Sequence, residues 1–180
     1  LPTPCLRPAN IGKADVKGFE FETTIRPIDG VTLDGSFSYL DFEYTSATTG
    51  NPPTLVNSAI PKGAVTPYTP KLTWSHGMQY DYDSDIGRFS IRYDGQYQGL
   101  MFTTAENTYW SRINKRYLGN AQVSYTSADK NWKLTAEVRN LWNEYYFLSV
   151  SDVTTPGNLG VVTGVPGLPR TWALTVKRTF

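Results

Sequence analysis

One histidine, one cysteine and two glutamates a single residue apart are the first places to look for chemistry in this 180-residue sequence. A Ser-His-Asp relay needs an imidazole held between a nucleophile and a carboxylate. His76 instead falls between Trp74 and Met78 in an alternating run that puts all three on an apolar face, so it reads as a lipid-facing or interface ring. Glu20 and Glu22 share the other face of their strand. Glycosidase-type work needs carboxylates facing each other across a cleft, so these read as charges on a wall. Cys5 stands alone, which excludes a disulfide within the chain, and a lipid-anchoring role for it would need a signal peptide before it. The single histidine excludes a zinc site built from several histidines. Gly160 to Gly167 lacks the Gly-x-Gly-x-x-Gly spacing and reads as a loop, not a nucleotide cradle. No catalytic group, metal site or cofactor is expected.

Binding is better represented than catalysis. Tyr109, Trp110 and Arg112 sit together in a long connection otherwise poor in apolar residues, and Tyr145, Tyr146 and Phe147 sit similarly in another. Rings beside a guanidinium on loops can form a ligand patch. The alternative is that they pack loop against loop, or belong to strands that run past the membrane.

The elements that must position these groups show a period of two. Phe19, Phe21, Thr23 and Ile25 alternate with Glu20, Glu22, Thr24 and Arg26, so a strand covers about 14–26. Further alternating runs start at Val31, Leu72, Phe89, Tyr117, Trp132 and Trp172, giving seven strands. Short turns are expected at 27–30, 83–87 and 127–131, and long loops at 45–69, 99–116 and 141–169. Short and long connections alternate strictly. A soluble sandwich has no reason to send every long loop to one end, whereas outer-membrane barrels pair short periplasmic turns with long outer loops.

The two faces support that architecture. Tyr39, Trp74, Tyr97, Tyr117 and Trp172 fall near the long-loop ends of the apolar faces, and Tyr80, Tyr82, Phe89, Tyr125, Trp132 and Phe180 near the short-turn ends. Two such bands are expected where a barrel wall meets water on each side of a bilayer. The opposite face carries Glu20, Glu22, Arg26, Asp34, Arg92, Asp94, Lys133, Glu137, Arg139 and Lys177, which a wet or plugged lumen accepts and a dry core does not. Charged residues make up 18% of the chain and aromatics 14%, with mean hydropathy −0.38, values that fit neither disorder nor a helical membrane bundle. With 17 Lys and Arg against 16 Asp and Glu, the chain lacks the basic excess of a nucleic-acid binder. The start has no initiator Met, basic region or apolar stretch of a targeting signal.

Three segments also resemble a known family. Gly12-Lys13-Ala14-Asp15-Val16-Lys17-Gly18-Phe19-Glu20-Phe21-Glu22, closing at Arg26-Pro27, is similar to the "AxxxGxExE…rP" strand of TonB-dependent outer-membrane receptors. Val138-Arg139-Asn140-Leu141-Trp142-Asn143-Glu144-Tyr145-Tyr146 resembles their "vxNLfdkeYy" segment. The run from Gly167-Leu168-Pro169-Arg170-Thr171 through Trp172, Leu174 and Val176 to Phe180 resembles their last strand, "pgxPRtyxlxlxyxF", although Arg178 stands where many members carry an aromatic residue.

The resemblance implies an all-β fold: about seven antiparallel transmembrane strands, with residues 1–180 forming the carboxyl-terminal portion of a larger plugged barrel of about 22 strands and holding no plug domain of their own. It implies TonB-powered uptake of a bulky nutrient, an iron–siderophore complex being the commonest cargo, across the outer membrane of a Gram-negative bacterium, with no chemistry done on the cargo. The implied partners are outer-membrane lipid, the rest of the barrel and its plug, the TonB complex reached through the plug side, the nutrient, and the barrel assembly machinery. The machinery would read Trp172, Leu174, Val176 and Phe180. Two other architectures stay open at this stage: a self-contained eight-stranded barrel, enzymatic, adhesive or structural, and a soluble β-sandwich binding module.

Overall fold

The computed structural model describes residues 12–47, 60–154 and 159–180; Cys5 lies outside them. Seven strands form one antiparallel sheet in the order β1 (Gly12–Ile25), β2 (Val31–Ala47), β3 (Leu72–Ser84), β4 (Gly87–Gln98), β7 (Arg116–Ser127), β8 (Trp132–Arg139) and β11 (Thr171–Arg178). Two small hairpins lie in the connections: β5 (Met101–Phe102) with β6 (Arg112–Ile113), and β9 (Phe147–Val153) with β10 (Val161–Pro166). The seven sheet strands coincide with the seven alternating runs. The long connections are more ordered than the loops expected at 99–116 and 141–169. In particular, the glycine-containing stretch 160–167 is largely strand β10, because Gly164 opposite Val150 leaves room for the Phe147 ring.

Two of the three short turns show their local cause plainly. Gly30 takes φ +78°, and a Cβ there would strike the Asp81 carbonyl of β3, so only glycine closes the 26–30 turn this tightly. The 128–131 turn is held by Asp129, whose carboxylate accepts the Asn131 N–H at 3.1 Å. Lys130, at φ +60°, donates its backbone N–H to the Ser127 carbonyl at 2.8 Å. Ser127 and Asn131 together hold the Asp129 carboxyl below its ordinary range.

The register joins like with like across the whole sheet. Phe21, Phe37, Trp74, Tyr97 and Tyr117 form one cross-strand row, and Leu33, Met78, Tyr93, Ala121, Val138 and Trp172 another. One face is therefore continuously apolar, the other polar, as the period-two pattern requires. The apolar face is uncovered: Phe21, Met78, Tyr82, Ile91, Leu134 and Leu174 are all exposed. Above the Tyr39 level the pattern reverses. Lys17 faces Asp41 and Asp15 faces Glu43 on the formerly apolar side, while Val16 faces Phe42 on the other. Lys71 marks this boundary, bridging to Asp41 at 2.7 Å and lying over the Tyr39 ring. Its ammonium is held more firmly protonated by Asp41, with Tyr39 adding to the effect.

Among the described residues the sheet is open: β1 pairs only with β2, and β11 only with β8. The buried hydrophobic cluster does not lie between layers of sheet. It lies among the long connections, where Met101, Ile113 and Val150 pack together with Phe147 against them.

Candidate ligand-binding site

The cluster of Met101, Ile113, Val150 and Phe147 brings β5, β6 and β9 together, and polar clasps complete the assembly. Asn107, at φ +51°, accepts the Val65 N–H at 2.7 Å and donates to the Val65 carbonyl at 2.9 Å, copying a strand-like pairing onto the 60–71 segment. The next residue, Thr108, donates its hydroxyl to Asp152 on β9. The Thr108 and Thr154 hydroxyls hold the Asp152 carboxyl below its ordinary range. Tyr68 and Ser149 hydroxyls meet at 2.9 Å, and the Tyr68 N–H reaches the Phe102 carbonyl at 2.7 Å. Ser111, fully buried, closes the 108–111 turn through the Thr108 carbonyl. The described parts of the three long connections thus form one body at one end of the sheet.

Against that body lies a cleft of about 430 Å³ lined by Tyr109, Trp110, Arg112, Lys115, Arg116, Glu144, Tyr145, Tyr146 and Phe147, among others. The six residues singled out in the two aromatic patches, Tyr109, Trp110, Arg112, Tyr145, Tyr146 and Phe147, all line this one cleft although they come from two connections. Tyr109 and Trp110 meet edge to face with centroids 5.0 Å apart, and Arg112 lies 4.8 Å over the Tyr109 ring. Tyr145 and Phe147 make a second edge-to-face pair at 5.4 Å.

Arg116, which by sequence pattern alone ends a loop, joins the two patches. It pairs with Gln98 in the register that places it on the polar face. Its Nη1 donates to the Phe147 carbonyl and its Nη2 to Gln98 Oε1, both at 2.8 Å, and its guanidinium lies 4.5 Å over the Tyr146 ring. Lys115 and Glu144 were likewise missed. They carry no local pattern, and only the fold of the two connections brings them to one cleft.

Asn140 is the hub that sets this return. It is 5% exposed and sits at φ +51°. Its side chain donates to the Glu144 and Leu168 carbonyls at 2.8 and 3.1 Å and accepts the Glu144 N–H at 2.8 Å. Gly167 N–H then reaches the Tyr146 carbonyl, and Arg170 N–H reaches Asn143 Oδ1. The second and third family-like segments are therefore bonded to each other. A polar residue closing a run of alternating apolar ones is the signal that could have pointed to this hub.

The remaining candidates lie elsewhere. Glu20 and Glu22 stand on the polar face opposite Ser38 and Ser36, with Ser38 donating to Glu20 at 3.2 Å. Arg92 and Asp94 form a cluster with Asp34 on the same face, and Glu137 pairs with Arg139 at 3.2 Å. Trp172, Leu174 and Val176 are exposed on the apolar face of β11, and Phe180 follows it fully exposed. His76 packs against both Trp74 and Tyr117 on the apolar face, its Nε2 3.5 Å from the Tyr117 hydroxyl. Among the described residues no group of three or more His, Cys, Asp or Glu side chains is gathered as a metal cage.

The family model described as TonB dependent receptor-like, beta-barrel, matches residues 1–141. None of the curated proteins compared matches the chain. The fold is similar to that of the ferric yersiniabactin uptake receptor FyuA from Yersinia pestis, with TM-score 0.77 and 18% identity, covering 95% of this chain and 24% of that one. It is similar to the ferric-catecholate import receptor Fiu from K12 E. coli, with TM-score 0.70 and 20% identity, covering 94% and 21%. It is also similar to BauA, the ferric preacinetobactin receptor from Acinetobacter baumannii, with TM-score 0.68 and 24% identity, covering 92% and 22%. The chain thus spans between a fifth and a quarter of the length of these solved structures.

Proposed function

Because this chain belongs to the TonB-dependent receptor β-barrel family, we propose that it supplies part of the wall and ligand-capturing rim of an outer-membrane receptor for a bulky nutrient, most of all an iron–siderophore complex. The family consists of receptors and transporters, not enzymes, and its members are outer-membrane proteins of Gram-negative bacteria.

The observation that carries the reading is the sheet itself. A seven-stranded meander has all its long connections at one end, and one unbroken apolar face opposes a charged one. In water, such an uncovered face of Phe, Ile, Leu, Met and Trp is an aggregation hazard. In a bilayer it is the lipid-facing surface that a barrel needs. The polar face then lines the lumen, where Glu20, Glu22, Arg92, Asp94, Glu137 and Arg139 meet the plug and water. The open edges at β1 and β11 would be closed by further strands, since lipid cannot satisfy free backbone groups. Trp172, Leu174, Val176 and Phe180 would serve the assembly machinery, and TonB would act through the plug.

The ligand meets the loop end first. The cleft between Tyr109, Trp110, Arg112, Tyr145 and Tyr146 opens toward Arg116 on the polar face, so a bound ligand would pass from rim to lumen. No bond in the cargo is made or broken by these groups.

The test is uptake of radiolabelled iron in cells that carry the full-length receptor as their sole outer-membrane iron receptor. Accumulation from at least one ferric chelate is expected, abolished when TonB is absent. Receptor present in the outer membrane with no TonB-dependent uptake from any chelate would overturn the reading.

A further inference from the structure

Resting on that uptake reading, we infer that the rim cleft selects an anionic, aryl-bearing ferric chelate, with Arg116 as the residue that recognises its charge. The groups lining one cavity are unbalanced in charge. Arg112, Lys115 and Arg116 bring three cations, and Glu144 brings one carboxylate. Among the described residues none of these four takes part in an ion pair. The cleft therefore carries an uncompensated positive charge, in contrast to the polar wall below, where Arg92 and Arg139 are each matched by carboxylates.

Arg116 is the most constrained of the three. Its two hydrogen bonds go to neutral oxygens, the Phe147 carbonyl and Gln98 Oε1, and the Tyr146 ring covers one face of its plane. A guanidinium has five N–H donors in a fixed fork, so donors are left over for an incoming anion. The fork is already oriented by three contacts, which lowers the entropy cost of using it. A lysine at this position could supply the charge but neither the stack nor the fork.

The rings define the rest of the ligand. Tyr109 with Trp110 and Tyr145 with Phe147 each meet edge to face, and Tyr109, Trp110 and Tyr145 are all exposed. Such an arrangement receives another ring edge-on or offset-stacked. Phenolate or catecholate arms provide both an aryl ring and negative charge close to the metal. A ring-free hydroxamate chelate without negative charge offers neither, and a citrate chelate offers charge alone. A cleft of about 430 Å³ holds part of a bulky chelate, leaving the remainder to other parts of the receptor.

The experiment uses the full-length receptor purified in detergent, with binding followed by quenching of its tryptophan fluorescence. The probes are ferric tris(2,3-dihydroxybenzoate), ferric citrate and ferrioxamine. The catecholate is expected to bind most tightly, citrate at least tenfold more weakly, and ferrioxamine most weakly, with catecholate affinity falling as salt is raised. Arg116→Gln should weaken the catecholate by tenfold or more while changing ferrioxamine little, and Arg116→Lys should recover only part of the loss. Should the Arg116 variants not reach the membrane, Lys115→Gln, at an exposed residue that forms no ion pair, reads the same charge preference with a smaller loss. Tight ferrioxamine binding with weak catecholate binding would overturn the charge and ring selection yet leave the uptake function standing. Equal loss for all three probes in Arg116→Gln would reduce Arg116 to a structural role and overturn the inference. Binding of none of the three, together with no TonB-dependent iron uptake, would overturn the proposed function as well.

Discussion

Arg92 on β4 donates from Nη1 to Asp34 Oδ1 on β2 at 2.9 Å, reaching across the whole width of β3. It can do so because the β3 residue between Asp34 and Asp94 is Gly77. A Cβ there would fall against both the Asp34 carboxylate and the Arg92 guanidinium. Arg92 also holds Asp94 at 2.6 Å, so one cation serves two carboxylates. Glu137, on the same polar face, pairs with Arg139 instead.

Gly77→Val should push Asp34 and Arg92 apart without touching the apolar face. The groups displaced are flexible side-chain tips that are partly exposed, so the cost should be modest, about 1 kcal/mol or less. Thermal unfolding of the reconstituted receptor measures it. A loss of several kcal/mol would mean that Gly77 is needed for the backbone and not for the ion cluster.

Neighbouring residues on β4 should respond in opposite ways. Ile91 is exposed on the apolar face, and its neighbour Arg92 is on the polar one. Ile91→Arg should cost roughly 2–4 kcal/mol of folding in the bilayer, the penalty for a cation near the membrane midplane. Arg92→Leu should assemble almost normally. Yield and heat-modifiable migration of the full-length receptor compare the two, and the reverse order would place every β4 side chain on the wrong face.

Asn140→Ala removes a buried side chain that makes three hydrogen bonds to backbone groups of two segments. Leaving the Glu144 and Leu168 backbone groups unpaired should destabilise the 140–170 connection by about 2–3 kcal/mol. Limited proteolysis should then cut between β8 and β11 much faster than in the unaltered receptor. An unchanged cleavage rate would show that the β9–β10 hairpin holds this connection without Asn140.

The Thr108–Asp152 clasp should loosen in acid. The Asp152 carboxyl is held below its ordinary value of 3.8 by Thr108 and Thr154, so the folded state favours the charged form. Its contribution is complete above that ordinary value and disappears as pH falls through the lower folded-state value. Protection factors of the 99–115 connection, taken against the intrinsic exchange rate at each pH, should therefore fall below about pH 4, and Asp152→Asn should remove that fall. Exchange insensitive to both changes would show that the clasp contributes nothing.

The two ends of the sheet should be reached from opposite sides of the membrane. In whole cells, a membrane-impermeant thiol reagent should label cysteine placed at Asn107 and spare cysteine placed at Asp29 or Asp129. Labelling at the two turns but not at Asn107 would invert the proposed topology.

What the residues determined by themselves is the sheet. Period-two alternation is a local property, because successive side chains on a strand point to opposite faces. Phe19 and Glu20, or Ile91 and Arg92, could therefore be sorted without knowing their neighbours. Turn chemistry at Gly30 and Asp129 is also local, and it set the short end of the sheet. Tertiary structure alone decided the binding rim. The connections 99–116 and 141–169 show no long alternation because their strands are only two to seven residues long, too short to leave a period. Arg116 looks like a loop end until β9 returns over it, and Asn107 looks like any polar loop residue until Val65 comes within reach. Contacts between residues tens of positions apart depend on how the strands beneath bring the loop bases together. That is why the six aromatic and arginine candidates could be named from sequence, while the single cleft they share could not.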